Sequence, residues 1–258
     1  MKIAIAGIAC VLAASPAWSA DRWEYRGDDG SYSSNELQPG IVQEGHDLEP
    51  KQTAPDADWY QVVTHRERSY EVRVFGGGVV WKYSGCTGCG TLDLVGYDGG
   101  VATPGDNDQT YGPGGQSVRW IGGPGVVSLR VTPGTEGANT PLEKYDILLL
   151  DTTLFLPRFN NIGSQRTVLI VQNLRERAVS GQIFFRQNNG LALPDYPFTI
   201  APQALLVLDT GKLPQIGQSS GSASIAHTGG WGALAGKTVV LEPSTGFTFD
   251  TMLTTAPR

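Results

Sequence analysis

Gly217-Gln218-Ser219-Ser220-Gly221 spells G-x-S-x-G, the pattern of a nucleophile elbow. Such a serine attacks when a strand delivers it to a tight turn, a helix follows, and an acid and then a histidine come later in the chain. Here a Pro/Gly-containing loop precedes it and a strand-like run, SASIAH, follows. Only His227 and then Asp250 remain downstream, in the reverse order. The match reads as loop composition. A secreted hydrolase built on Ser219 or on an acidic pair stands as a rival to a non-catalytic reading.

Cys86-Thr87-Gly88-Cys89 is the cysteine pair left once Cys10 is assigned to the leader described below. Zinc would need a second pair or nearby histidines, and a thioredoxin-type site needs a helix beginning at the first cysteine. Gly85 and Gly90 bracket the pair between strand-like runs, so the expectation is a local disulfide between Cys86 and Cys89 that pins a loop in an oxidising compartment. A ring that short removes little chain entropy and stabilises at the small end of the usual range. His46, His65 and His227 lie in separate segments, without the i, i+3 or i, i+4 partners of a metal site. Trp81, Trp120 and Trp231 could stack on sugar rings if exposed, although burial in a sandwich core is the commoner fate of an indole. Arg26-Gly27-Asp28 is a tripeptide that chance supplies, and Asp106-Asn107-Asp108 reads as a solvated turn.

The chain that must position these residues opens like a secretory leader. Lys2 supplies a charged start, 3–14 an apolar stretch and 15–20 a small-residue tail, too short for a membrane span. Cleavage after Ser19 puts Ala17 at the A-x-S position, so residues 1–19 read as signal peptide and 20–33 as a polar leader. No later stretch reaches transmembrane length. Removing the leader takes Lys2 and no acid, which moves the net charge from −6 to −7. An acidic balance without basic patches argues against nucleic acid or an anionic membrane as partner.

Glycine (34) and proline (16) punctuate short runs rich in valine, threonine and tyrosine, the pattern of many strands joined by turns. In 59–64 (WYQVVT) and 70–75 (YEVRVF) the side chains alternate; Tyr70, Val72 and Val74 share one face, Glu71 and Arg73 the other. Further strands are expected at 79–83, 91–96, 117–121, 127–132 and 145–150. In the second half they are expected at 166–173, 181–186, 196–200, 204–209, 222–227, 237–242 and 246–250. A helix is the rival reading over 56–75 and again at 141–151, where PLEKYDILLLD could open with proline in its first turn. The apolar runs 146–150 and 167–171 flank a connector carrying Pro157 and Asn160-Asn161. We read the first as the last strand of one domain and the second as the first strand of the next. The fold expected is all-β: two tandem antiparallel β-sandwiches over 34–152 and 153–258, split near 152–158.

Residues about 34–152 resemble the bacterial pre-peptidase C-terminal domain. The resemblance is carried by Asp56-Ala57-Asp58-Trp59-Tyr60, the strand YEVRV, LDLVGYDGG with the Asp106-Asn107-Asp108 loop, the strand VVSLRV and the closing strand KYDILL. It implies a non-catalytic β-sandwich of the kind attached to secreted bacterial enzymes, some of which bind calcium or insoluble polymers. Calcium-binding members pair an E-x-N-D motif with a D-x-D before the tryptophan. Asn35 and Glu36 fall on the first motif and Asp56 and Asp58 on the second, but Ser33 stands where the leading glutamate belongs, which weakens a site for a cation that wants six to eight oxygens. The plainer reading has Asp56 and Asp58 capping a loop before a strand. The second half, with PRFNN, SGQIFF and EPSTGFTFDT, is similar to modules that end exported bacterial proteins of no known activity.

The resulting expectation is an exported bacterial protein, extracellular or periplasmic, that binds an envelope or extracellular polymer or protein without catalysis. It requires no cofactor, with calcium as the one alternative.

Overall fold

Side-chain alternation with a period of two organises the chain, as a half-buried strand requires. The structure is a computed structural model that describes residues 35–48, 57–76, 91–95, 115–132 and 143–255. Among the described residues, seven strands precede residue 152: β1 (Val42–Leu48), β2 (Asp58–Thr64), β3 (Ser69–Phe75), β4 (Thr91–Val95), β5 (Gly115–Ile121), β6 (Gly125–Thr132) and β7 (Glu143–Asp151). They pair antiparallel into two sheets, β1-β7-β3-β5 and β2-β6-β4. Tyr60, Val62, Leu129 and Val131 from one sheet meet Val72, Val74, Ile147 and Leu149 from the other in a single buried cluster.

Nine more strands follow: β8 (Leu154–Asn160), β9 (Arg166–Asn173), β10 (Val179–Gln187), β11 (Tyr196–Ile200), β12 (Leu205–Asp209), β13 (Ser220–His227), β14 (Leu234–Glu242), β15 (Phe247–Met252) and β16 (Thr254–Thr255). They form the sheets β11-β10-β13-β8-β16 and β12-β9-β14-β15 around a second core that includes Leu156, Phe159, Leu169, Ile183, Phe185 and Ile225. Phe159 and Phe185 meet edge-on, ring centroids 5.4 Å apart, a preferred aromatic geometry. The protein is all-β, and no α-helix occurs among the described residues. None of its described helices is long and apolar enough to cross a membrane, which leaves β-barrels unaddressed.

Two asparagines hold the second sandwich at opposite ends of β9. Asn161 Oδ1 accepts from Thr167 N–H and from the Thr210 hydroxyl, and its Nδ2 donates to Ile216 O. Asn173 Nδ2 lies within 3.1 Å of the Arg177, Ile200 and Ala201 carbonyls, and its Oδ1 accepts from Arg175 N–H. Both side chains are buried and span loops that would otherwise leave backbone groups orphaned.

The strand readings at 59–64, 70–75 and 145–150 stand, and helix loses at both contested places. The connector between the domains does not: 154–160 is itself a strand, β8, so the second sandwich begins before 167. Pro157 argues against a strand there in the sequence. Leu156 pairs with Ala223 and Phe159 with Gly221, so Pro157 and Arg158 together face Ser222 in a bulge, a place where a missing N–H costs nothing. β1 also escaped the sequence reading, which expected no strand before 59–64. Its β-branched content is low and its alternation is broken by a register shift between Gln43 and His46.

Candidate functional site

Between β7 and β8 lie only Thr152 and Thr153, and every polar contact they make crosses between or braces the two domains. Thr152 N–H donates to Ser69 O (2.8 Å). Its hydroxyl donates to Ser69 Oγ (2.9 Å), and Thr153 Oγ1 accepts from Ser69 N–H (2.9 Å). Asp151 Oδ1 accepts from Thr153 N–H, while its Oδ2 takes Arg68 at 2.8 Å. The Thr152 carbonyl sits 2.9 Å from His227 Nε2, which makes that nitrogen the protonated one in a neutral ring. Burial pushes His227 down to about 4, against the opposing pull of the backbone at Thr152.

Each domain covers the outer face of a sheet in the other. Glu71 points away from the first core yet is fully buried, because the loop carrying Gly229, Gly230 and Trp231 sits over it. Its carboxylate accepts from Trp231 N–H (2.8 Å), Arg73 (2.8 Å) and Arg119 Nε (3.0 Å). Arg119 is directly opposite Glu71 on β5, a favourable cross-strand pairing. Burial alone would raise the Glu71 pKa, but the hydrogen bonds from Arg73 and Trp231, together with the Arg119 charge, hold it below the usual carboxylate value. Gly230 is required here: a Cβ would lie 2.8 Å from both Glu71 Oε1 and Arg119 Nε.

Reciprocally, the β2–β3 turn lies against the outer face of the β10-β13-β8 sheet. Glu67 holds φ +73, a left-handed conformation that costs a non-glycine residue about 1–2 kcal/mol. Its carboxylate grips Arg186 of β10 in a bidentate pair across the junction, which raises the Arg186 pKa further. A cleft of about 250 Å³ opens beside this turn, lined by Arg66, Arg68, Phe155, Phe184, Ser222 and Ser224 among others. The Arg68 guanidinium lies 4.6 Å from the centroid of the Phe155 ring. Arg186 spends Nε and Nη2 on Glu67 and Nη1 on Gly190 O. By contrast, Arg68 has one carboxylate contact, and Arg66 has one at 3.7 Å, to Asp195, with a side chain 72% exposed. With five N–H donors per guanidinium, both keep capacity for a bound group.

The residues singled out from sequence fall elsewhere. Ser219 is buried and donates its hydroxyl to Ile216 O at 2.9 Å. His227 is at the far end of β13, roughly 25 Å away at strand rise, so no elbow is assembled. Trp120 is buried and stacks on Tyr70 (5.5 Å, 28°). Trp231 is half-buried at the junction, where its carbonyl accepts from Arg175 (2.9 Å). Trp81, Cys86, Cys89, Asp56 and the 106–108 loop lie outside the described residues. Of the calcium candidates, Glu36 is exposed, Asn35 is buried, and Asp58 is buried with its Oδ2 2.5 Å from the Tyr145 hydroxyl. Since Tyr145 donates its single proton to Asp58, the Tyr60 hydroxyl 2.5 Å away donates to Tyr145. Burial first, then Tyr60 and Asp58, push the Tyr145 phenol well above its ordinary range. His46 stacks on Tyr145 at 5.3 Å. Among the described residues, no three His, Cys, Asp or Glu gather as metal ligands.

The cleft residues escaped the sequence reading. The signal available was HRER at 65–68, a dense charge cluster in a turn between two alternating strands, which ordinarily marks a solvated tip. No family model matches the chain, and no curated protein matches it. Solved structures with some likeness include a Bacteroides uniformis β-glucuronidase 2 covalently bound to cyclophellitol-6-carboxylate aziridine (11% identity, TM-score 0.24) and a B. uniformis β-glucuronidase (11%, 0.22). A calcium-binding mutant of the former gives 11% and 0.20. These cover 79–80% of this chain, while it spans about a quarter of theirs, 26–27%.

Proposed function

We propose that the protein is a non-catalytic recognition module of a bacterial cell envelope or secretome, which holds an anionic group of a polymer in the cleft between its two sandwiches. The observation that carries this reading is the pair of incompletely engaged guanidinium groups, Arg66 and Arg68, beside the rings of Phe155 and Phe184. A ligand that offers a carboxylate or similar group would meet both guanidinium groups at once. A cleft at a domain junction is a usual place for such a site, and the bonds across this junction keep its walls at fixed separation. The signal-like leader supports export.

The test is a screen of acidic and neutral polysaccharides and peptides by surface plasmon resonance, with Arg68→Ala as the control. The expected result is a preference for acidic polymers that Arg68→Ala weakens by about tenfold or more, one charge-assisted contact being worth about 1.5–3 kcal/mol. Binding unchanged in Arg68→Ala, or hydrolysis of any polymer in the screen, sinks the proposal.

A further inference from the structure

Two hydroxyls on the floor of the junction cleft have no hydrogen-bond partner among the described residues. They belong to Ser222 and Ser224 of β13, both half-buried and on the same face of the strand, about 7 Å apart along it. Arg186 and Phe184 stand opposite them on β10, and Phe155 stands opposite Ser224 on β8. A serine hydroxyl donates one hydrogen bond and accepts two, so this floor suits a group that does both. Sugar hydroxyls do both, whereas carboxylates and phosphates only accept.

Three features narrow the occupant. The first is charge. Arg66, Arg68 and Arg186 each face one carboxylate, from Asp195, Asp151 and Glu67 respectively, so the formal charge of these six groups cancels. A single carboxylate can take the donors that Arg66 and Arg68 keep in reserve. A densely charged polyanion would also be driven against three fixed carboxylates. The second feature is the backbone. β13 spends its N–H and C=O groups on β10 and β8, so an extended peptide laid along the floor finds no edge to join. The third is size. About 250 Å³ corresponds to roughly eight waters at about 30 Å³ each, room for one six-membered ring with its substituents.

We infer that the cleft reads one sugar residue bearing a single carboxylate, within a polysaccharide whose charges are sparse; this rests on the anion-binding reading above. Arg68, with Arg66 at the rim, takes the carboxylate, and Ser222 and Ser224 take ring hydroxyls. Charge is thus read from the turn of the first sandwich, and hydroxyl pattern from the floor of the second.

Isothermal titration calorimetry of the full chain tests this with short probes. They are tetrasaccharides containing glucuronate, galacturonate or mannuronate, their carboxyl-reduced neutral forms, a heparin tetrasaccharide and a glutamate tetrapeptide. The expected result is that at least one uronate tetrasaccharide binds about tenfold or more tighter than its neutral form, the heparin or the peptide. The double variant Ser222→Ala, Ser224→Ala should weaken the uronate and its neutral form alike, by about tenfold for two neutral hydrogen bonds, and so preserve their ratio. Arg68→Ala should bring that ratio toward one. Thermal melting shows that the variants remain folded, and the wild-type comparison stands without them. Heparin or peptide bound as tightly as any uronate overturns the sugar inference and leaves the anion reading in place. A double serine variant that binds like the wild type does the same. No probe bound, a uronate bound no better than its neutral form, or a ratio that Arg68→Ala leaves unchanged overturns both.

Discussion

Replacing Glu71 by alanine removes an acceptor shared by three donors, Arg73 and Arg119 of its own sandwich and Trp231 N–H from across the domain boundary. Glu71 is fully buried, its Arg119 partner has a side chain only 9% exposed, and Arg73 is 24% exposed. Breaking a buried pair from one side costs about 3–5 kcal/mol, since the remaining charge is left without compensation. Arg73 can turn toward water, which places the loss near the low end, about 3 kcal/mol. The Trp231 amide accounts for about 1–2 kcal/mol of it, and that share belongs to the coupling between sandwiches. For a first domain of about 100 residues the change lowers its melting temperature by about 10–20 °C. In urea followed by tryptophan fluorescence, the wild-type chain should unfold in one transition and Glu71→Ala in two, the first domain leaving earlier. Glu71→Gln, which keeps an acceptor for Trp231 N–H but loses the charge, should fall between them. Because its folded pKa is depressed, the contribution of Glu71 is present above about pH 4.5 and fades as pH falls through the folded value. A loss below about 1 kcal/mol, with both halves still unfolding together, refutes the reasoning.

Two further outcomes follow from other buried groups. His227 titrates at about 4 folded and near 6.5 unfolded, so between those values the unfolded chain binds a proton that the folded chain refuses. Stability should therefore rise with pH by about 3 kcal/mol from pH 4 to pH 7 and be lost as pH falls through that window, and denaturation curves of His227→Gln over the same range should lose most of that slope. Tyr145→Phe deletes the hydroxyl that Asp58 accepts from and that Tyr60 donates to. It should cost about 2 kcal/mol in chemical denaturation; a neutral result would mean that Asp58 finds water there.

The sandwich strands were legible because one face of each is buried, and burial imposes alternation: 70–75 and 145–150 carry their core residues at every second position. What stayed hidden is what the two domains do to each other. Glu71 and Arg119 look like solvent-facing charges in their strands, and only the arrival of Gly230 and Trp231 from 160 positions downstream makes them interior. Arg186 likewise reads as the polar side of a strand until Glu67 reaches it. Pro157 hid β8 because a proline argues against a strand wherever the bulge that admits it is not visible. For Ser219 the spelling already argued against an elbow, through the reversed order of His227 and Asp250, and its buried hydroxyl is spent on Ile216 O.

The two-threonine joint has a bearing on how this architecture is inherited. One inserted residue between Thr152 and Thr153 would turn every side chain of β8 to the opposite face, trading Leu154 and Leu156 for Phe155 inside the core. The short joint thus ties the face that β8 presents to its length. A recombination event that exchanges either half must also bring a matching cradle at 68–71 and 227–231, or it separates two modules that no longer recognise each other.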